Sequence, residues 1–460
     1  MTPRGGPWAA AGLCAAAALV PLNSTMIAVA LLDIEEDLGV SEGAGTWLVA
    51  GYLVVMALAQ PVGGRIGDAL GHRRTFLIGL GAFLAASALA AAAPWFGVLV
   101  ALRMCQALCG GLMTPSVVAL LQDIVPARSR GRAFGWFGTV MGLGAAIGPV
   151  LGGGLVAAGG WRAIFLVNIP AGIVAVALAL RSLPFDAPRC ALRGSGFDVR
   201  GAAAFTGFVG AVVAALVLAP DGPALWVPAT LVAAACLGLF VAAERRAPQP
   251  FVALDLFRRR PYVGATATIL LHNLVMYALL LIVPVLAERE LDLGPSGAGL
   301  LIGAMTGGMM VVSPIGGHLG DVLGRRAPVL MGAALAVLAT AGLVVVAGDP
   351  GVGAVAVLVG VAGVGVGLAG ASLQTTAAES VPRDMVGVAN GVFMTSRYTG
   401  GIAATGVAGA VAASGAYRTG FVVLLVAAVA SLATAAALST RGRGGAPVPW
   451  TDTTRGVHRP

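Results

Sequence analysis

Gly63-Gly64-Arg65-Ile66-Gly67-Asp68-Ala69-Leu70-Gly71-His72-Arg73-Arg74 and Gly316-Gly317-His318-Leu319-Gly320-Asp321-Val322-Leu323-Gly324-Arg325-Arg326 are two copies of one frame, GGxxGDxLGxR, set 253 residues apart. Each copy closes one Gly-rich apolar run and opens the next after a very short polar loop. Glycines let two membrane helices approach closely. The Asp can face a helix N-terminus or the neighbouring Arg side chains. A single copy reads equally well as a tight, positively charged turn that only sets topology. Its duplication points instead to two halves of one architecture, and in a membrane to alternating access around a midplane site.

The rest of the chain puts these segments in a bilayer. Of 460 residues, 58% are hydrophobic and 10% charged, where a soluble protein carries about 25% charged residues. A surface so poor in charge must be solvated by lipid, which makes this a polytopic membrane protein. A helix of about 20 apolar residues spans the hydrocarbon core. Fourteen such runs occur, at 8–32, 46–64, 76–94, 96–121, 134–157, 164–180, 201–219, 225–243, 262–287, 298–318, 328–347, 351–377, 386–412 and 419–438. The first is an uncleaved helix rather than a signal peptide, because it carries Asn23 in mid-run and leads straight into further spans.

Loop charge orients the chain. The odd-numbered loops hold three Arg (Arg162, Arg289, Arg418) against ten acids, whereas the even-numbered loops and both tails hold 23 Arg against ten acids. Both termini are therefore expected in the cytoplasm, with the chain in the plasma (inner) membrane. No loop exceeds about 25 residues, too short for the ATPase domain of a pump or for a soluble catalytic domain. The 28 basic residues are all Arg, a bias that fits a GC-rich genome better than a nucleic-acid surface, so no nucleic acid is expected as partner. The five Cys show neither a disulfide framework nor metal-ligand spacing. No cofactor or metal is expected.

The repeated loops resemble the cytoplasmic signature of the major facilitator superfamily. Helix 5 is similar to that family's exporters through Gly144-Ala145-Ala146-Ile147-Gly148-Pro149-Val150-Leu151-Gly152-Gly153, and the approach to helix 6 through Trp161-Arg162-Ala163-Ile164-Phe165-Leu166-Val167-Asn168-Ile169-Pro170-Ala171-Gly172. In helix 4, Arg103-Met104-Cys105-Gln106 with Gly110-Gly111 matches a further motif in part. Fourteen spans look like the drug:proton antiporter branch. The resemblance implies an all-α membrane protein with the major facilitator fold, two pseudo-symmetric six-helix bundles plus two extra helices. The bundles would be 1–183 and 261–440, the extra helices with their flanking loops 184–260, and a disordered cytoplasmic tail 441–460. It further implies a monomer that exports a small amphipathic drug, antibiotic or secondary metabolite against protons. Gly64, Asp68, Gly71, His72 and Arg73, with Gly317, Asp321, Gly324 and Arg325, would latch the cytoplasmic ends of the bundles. Gly144, Gly148, Gly152 and Gly153 would form the close contact between halves, with Pro149 bending the helix.

The departures from that branch fall on coupling residues. The branch usually carries an Asp near the end of helix 1, and this chain has Asn23 there, in Leu22-Asn23-Ser24-Thr25-Met26-Ile27-Ala28. Asn exchanges no proton. No Asp or Glu lies within the fourteen spans, and Asp33 is about 15 Å along the helix from Asn23 at 1.5 Å per residue. His72 also stands where the family prefers Arg. The ionisable groups left at membrane depth are Arg103 (near Gln106), Arg397 and His272, the last followed by Asn273 and Tyr277. Such groups usually face a cavity or a partner. His272 titrates nearest neutrality, so it becomes the first alternative coupling residue, with Asp33 the second. Two deep Arg and no deep carboxylate should disfavour lipophilic cations and accept neutral or anionic compounds. Facilitative or otherwise coupled transport of such compounds is the competing reading. A membrane enzyme would need a polar cluster at one face, and the only candidate is Asp33, Glu35, Glu36, Asp37 and Glu42, which reads as a solvated outer surface.

Overall fold

The computed structural model describes residues 7–40, 46–183, 198–218, 223–247, 251–252, 254–293, 295–382 and 385–438. The connecting stretch 184–197, Glu42 and the tail 441–460 lie outside these. Sixteen α-helices and no strand occur among the described residues. The first eight are α1 (Pro7–Val29), α2 (Leu31–Asp37), α3 (Thr46–Leu70), α4 (His72–Ala91), α5 (Phe96–Ile124), α6 (Arg130–Gly159), α7 (Ala163–Leu166) and α8 (Asn168–Ser182). There follow α9 (Val199–Leu218), α10 (Pro223–Arg246), α11 (Arg260–Arg289), α12 (Pro295–Leu323), α13 (Arg326–Val346), α14 (Val352–Glu379), α15 (Val386–Ser414) and α16 (Tyr417–Ala436). Apart from the short α2 and α7, these fourteen helices coincide with the fourteen apolar runs. In lipid every backbone N–H and C=O must be satisfied within the chain, which for apolar runs of this length leaves only helix. Over the described residues, nine helices are long and apolar enough to cross a membrane. Large aliphatic side chains stand fully outward on them, Leu300 at 76% and Val345 at 82% exposure, as lipid contact requires and water would penalise.

Packing repeats with the sequence. In the first half α1 packs on α6 and α8, α3 on α5, and α4 on α5 and α8. In the second, α11 packs on α15 and α16, α12 on α14, and α13 on α14 and α16. The two sets of neighbours are the same under a shift of one six-helix unit. The halves meet where α3 crosses α15 and α6 crosses α12. α9 and α10 pack on each other, with α9 also touching α15 and α3. An edge-to-face contact between Phe205 and Phe240, centroids 5.3 Å apart, joins that pair.

At the Arg-rich end of this pair, just past the apolar run 225–243, Glu244 is 4% exposed and its Oε2 accepts the Val252 N–H at 3.3 Å. Burial pushes its carboxyl up to about 7, with the Val252 N–H opposing the shift, Asp198 adding to it and Arg65 opposing it. A carboxyl raised above its unfolded value of 4.5 contributes stability that is complete below that value and is lost as pH rises through about 7. The melting temperature of the purified protein is therefore expected to fall between pH 5 and pH 8, and Glu244→Gln to flatten that part of the profile. An unchanged slope in the variant would place the pH dependence elsewhere.

Candidate functional site: the paired latches and the buried arginines

The repeated segments are not loops. α3 and α12 run on through the motif to Leu70 and Leu323, because no residue in it breaks a helix before Gly71 and Gly324. Those glycines take positive φ, 97° and 91°, a conformation costly for any residue with a Cβ. Each motif Asp thus sits in the last turn of its helix, where a carboxylate is unfavourable against its own macrodipole. Both find a better partner across the halves. Asp68 accepts the Gly387 N–H on Oδ1 and the Val388 N–H on Oδ2, each at 2.9 Å, capping the first turn of α15. Asp321 accepts the Gly131 and Arg132 N–H groups, each at 2.8 Å, capping the first turn of α6.

The symmetry extends along both crossings. A methyl group on Gly64 would run into the Gly387 carbonyl, and one on Gly317 into the Gly131 carbonyl. Gly391 lies against the Gln60–Pro61 backbone, as Gly135 lies against Ser313 and Pro314. Deeper in, the Thr395 hydroxyl donates to the Ala57 carbonyl at 2.8 Å and the Thr139 hydroxyl to the Met310 carbonyl at 3.2 Å. The four partner glycines (Gly131, Gly135, Gly387, Gly391) escaped sequence reading. Their signal, a second small-residue pair also repeated at near-constant offset, is shorter and carries no charge.

The two latches differ in the basic residue beside the Asp. His72 Nε2 is 3.2 Å from Asp68 Oδ1, both side chains 2% exposed. At the equivalent place Arg325 Nη1 is 2.6 Å from Asp321 Oδ1. The second latch also extends: Glu379 takes Arg325 at 3.5 Å and Arg130 at 3.6 Å. Arg73, expected in the first latch, donates from Nη2 to the Leu180 carbonyl at 3.4 Å within its own half.

The exporter-type glycines of helix 5 correct an expectation. Gly144 lies against Ala18, Gly148 against Thr25 and Leu22, Gly152 against Met26, and Gly153 against Val29, all on α1 of the same half. They do not form the contact between halves. On α6 that contact belongs to the earlier turns holding Gly131, Gly135 and Gly138. The physical reason is helical phase: glycines four apart form a single stripe, and this one is used by α1. The Pro149 side chain lies outside the described residues.

A second polar centre is buried in the first half. Arg103 on α5, 1% exposed, donates from Nη1 to Gln106 Oε1 at 3.1 Å and lies with Cζ 4.3 Å from the centre of the Tyr52 ring. Asn23 Nδ2 donates to the same Gln106 oxygen at 3.4 Å. Gln106 Nε2 donates to Ser87 Oγ at 2.7 Å, and Asn168 Nδ2 to Asn23 Oδ1 at 3.1 Å. Four helices and the start of α8 thus converge on one amide network. The structure brings Asn23, Arg103 and Gln106 together and adds Tyr52, Ser87 and Asn168. Only Arg103 and Gln106, one turn apart on α5, are tied together in the sequence; the other four positions lie on four other helices.

The remaining candidates are separate. His272 on α11 pairs through Nδ1 with Ser431 Oγ on α16 at 2.8 Å and is 2% exposed, with no partner at Nε2. Arg397 Nε donates to Asn273 Oδ1 at 3.3 Å. Tyr277 and Arg397 lie within electrostatic reach of Tyr398, as does Tyr52 from the other half. Asp33 is exposed on α2, off the network of Asn23. Of the acidic outer cluster, Asp37 accepts the Trp161 indole N–H at 3.0 Å and Arg162 Nη1 at 2.8 Å. Those two donors hold its carboxyl below its ordinary value. The outer acids therefore include a clasp between α2 and the entry to α7. Among the described residues, no group of three or more His, Cys, Asp and Glu is placed to hold a metal.

Comparison with known proteins gives a consistent picture. The model of the Major Facilitator Superfamily matches residues 13–405. The chain is 31% identical over 421 residues to the tetracenomycin C resistance and export protein of Streptomyces glaucescens, covering 89% of this chain and 77% of that protein. It is 32% identical over 405 residues to the multidrug resistance protein Stp of Mycobacterium tuberculosis, covering 86% and 74%. Among solved structures it superposes on the proton:xylose symporter XylE with TM-score 0.67 at 14% identity, covering 93% of this chain and 94% of that one. On the human organic anion transporter MFSD10 it superposes with TM-score 0.68 at 16% identity, covering 93% and 99%. At these identities the structures speak for the fold alone.

Proposed function

Because the chain belongs to the major facilitator superfamily, we propose that it exports small amphipathic molecules, antibiotics or other secondary metabolites among them, by alternating access coupled to proton antiport. The observation that carries the alternating-access part is the pair of equivalent latches, each an Asp of one half on a helix N-terminus of the other. They close the Arg-rich end without a covalent tie, so that end opens when the caps release. The moving units are 1–183 and 261–440, joined through 184–260, with both termini on the cytoplasmic side of the plasma membrane. Relatives named for tetracenomycin C export and multidrug resistance support the direction and the cargo class.

Coupling is the open half of the proposal, and Asn23 gives the second reading its footing. An amide in the network of Arg103 and Gln106 carries no proton, so coupling must use another group or be absent. His272 is the buried group best suited to it. In inverted vesicles with an inside-acid gradient, adding cargo is expected to trigger proton release, and His272→Ala to abolish it. Release that persists would move coupling to another group. Labelled cargo crossing with no release would replace antiport by facilitative transport.

A further inference from the structure

Arg103 carries an unpaired guanidinium edge that is sealed inside the bundle in this conformation, so a ligand reaches it only when the halves move. Its Nη1 is committed to Gln106, while Nε and Nη2 are buried without a partner. Those two nitrogens form one side of the guanidinium fork, whose parallel N–H groups match the two oxygens of a carboxylate. The Tyr52 ring covers the face of the fork and fixes its plane. A guanidinium stays charged in any protein environment, and a buried charge without a counter-ion is strongly disfavoured. The groups around it are neutral: Asn23, Gln106, Ser87 and Asn168. The fourteen apolar runs contain no Asp or Glu to neutralise it. The Tyr52 that covers Arg103 stands on α3, the helix that packs on α15 where the halves meet.

We propose that the Nε–Nη2 edge of Arg103 binds a carboxylate of the transported molecule, so that this chain takes organic monoanions where an Asp at position 23 would select against them. The inference deepens the export reading and rests on it for the word cargo. The binding site itself is testable without transport. 1-Naphthoate serves as probe, with 1-naphthamide as its neutral isostere and chloride as an inorganic control, each titrated against the purified full chain by thermal shift and tryptophan fluorescence. Saturable binding of naphthoate and none of naphthamide is expected. Arg103→Gln is expected to weaken naphthoate by about tenfold or more, the ratio carried by a charge-assisted hydrogen bond. Asn23→Asp keeps Arg103 and supplies a rival carboxylate, and is expected to weaken naphthoate to a similar extent, which guards against a variant that merely fails to fold. Naphthoate binding equal in wild type and Asn23→Asp, equal affinity for naphthamide, or displacement by chloride as effective as by naphthoate would each overturn the site. Vesicle export is scored separately. Export of neutral compounds without naphthoate binding overturns the anion site and leaves the exporter. Naphthoate binding in a protein that exports nothing overturns the exporter and leaves the site.

Discussion

Gly317→Val is expected to hold the Arg-rich end open and to cut export by two orders of magnitude or more. The Gly317 Cα faces the Gly131 backbone, so a side chain there meets a carbonyl oxygen rather than a movable side chain. No rotamer relieves such a contact. α12 and α6 must separate, and with them go the Asp321 cap and the Ser313–Gly135 hydrogen bond at 3.0 Å. Overpacking typically costs about 1–3 kcal/mol, and each charge-assisted hydrogen bond adds about 1.5–3 kcal/mol. Their sum exceeds the ~2.7 kcal/mol that shifts a two-state equilibrium a hundredfold. Accessibility measures this directly. With the native cysteines replaced by serine, a Ser313→Cys reporter, 6% exposed at its position, is expected to resist an impermeant maleimide in inverted vesicles. Gly317→Val is expected to make it reactive. Gly64→Val, which meets the Gly387 backbone, is the equivalent change at the other crossing and should act alike. An unaltered labelling rate together with unaltered export would remove the crossings from the transport cycle.

Neutralising the two capping carboxylates is expected to have unequal effects, with Asp321→Asn the more severe. An amide can accept one of the two N–H groups that each Asp holds, but its own NH2 confronts the other. Each substitution therefore loses about 1.5–3 kcal/mol or more of cross-half stabilisation, roughly a ten- to hundredfold fall in the closed population. At the second latch the loss goes further. Arg325, bound at 2.6 Å to Asp321, is left with Glu379, which Arg130 also claims. At the first latch the partner of Asp68 is the His72 imidazole, with no further acid or guanidinium recorded against the pair among the described residues. His72→Arg is expected to narrow the difference by giving the first latch the permanent charge of the second. Reporter labelling and export rates for Asp68→Asn, Asp321→Asn and His72→Arg test this order. Equal effects of the two Asn substitutions would mean that the cations contribute nothing to closure.

Fold and function were not equally legible. The fourteen helices coincide with fourteen apolar runs because a backbone in hydrocarbon must satisfy itself locally, so length and apolarity decide the element without its neighbours. The repeat carried the two-half architecture, since the same helix must pack twice in the same way. That its Asp, Gly and Arg positions form a latch came from the family resemblance, while their chemistry alone gave a close approach, a turn and a charge. What the motif could not convey was its target. Which N–H groups Asp68 and Asp321 cap depends on how α3 meets α15 and α12 meets α6, contacts more than 180 residues apart in sequence. The glycines of α6 show the same limit in reverse, for a Gly stripe announces close packing without saying against which helix.

The sequence by itself determined the membrane class, the places of the long apolar helices, the internal duplication, and the absence of Asp and Glu from the apolar runs. These are properties of composition and local backbone chemistry, and they hold whatever the packing. Tertiary structure alone decided that the motif carboxylates are helix caps, that the exporter-type glycines serve α1, and that Asn23, Tyr52, Ser87, Arg103, Gln106 and Asn168 form one buried network with an unpaired guanidinium edge. A hydrogen bond or a clash exists only between groups within a few ångströms, and in a bundle those groups come from helices whose phase and neighbours are set by the whole fold.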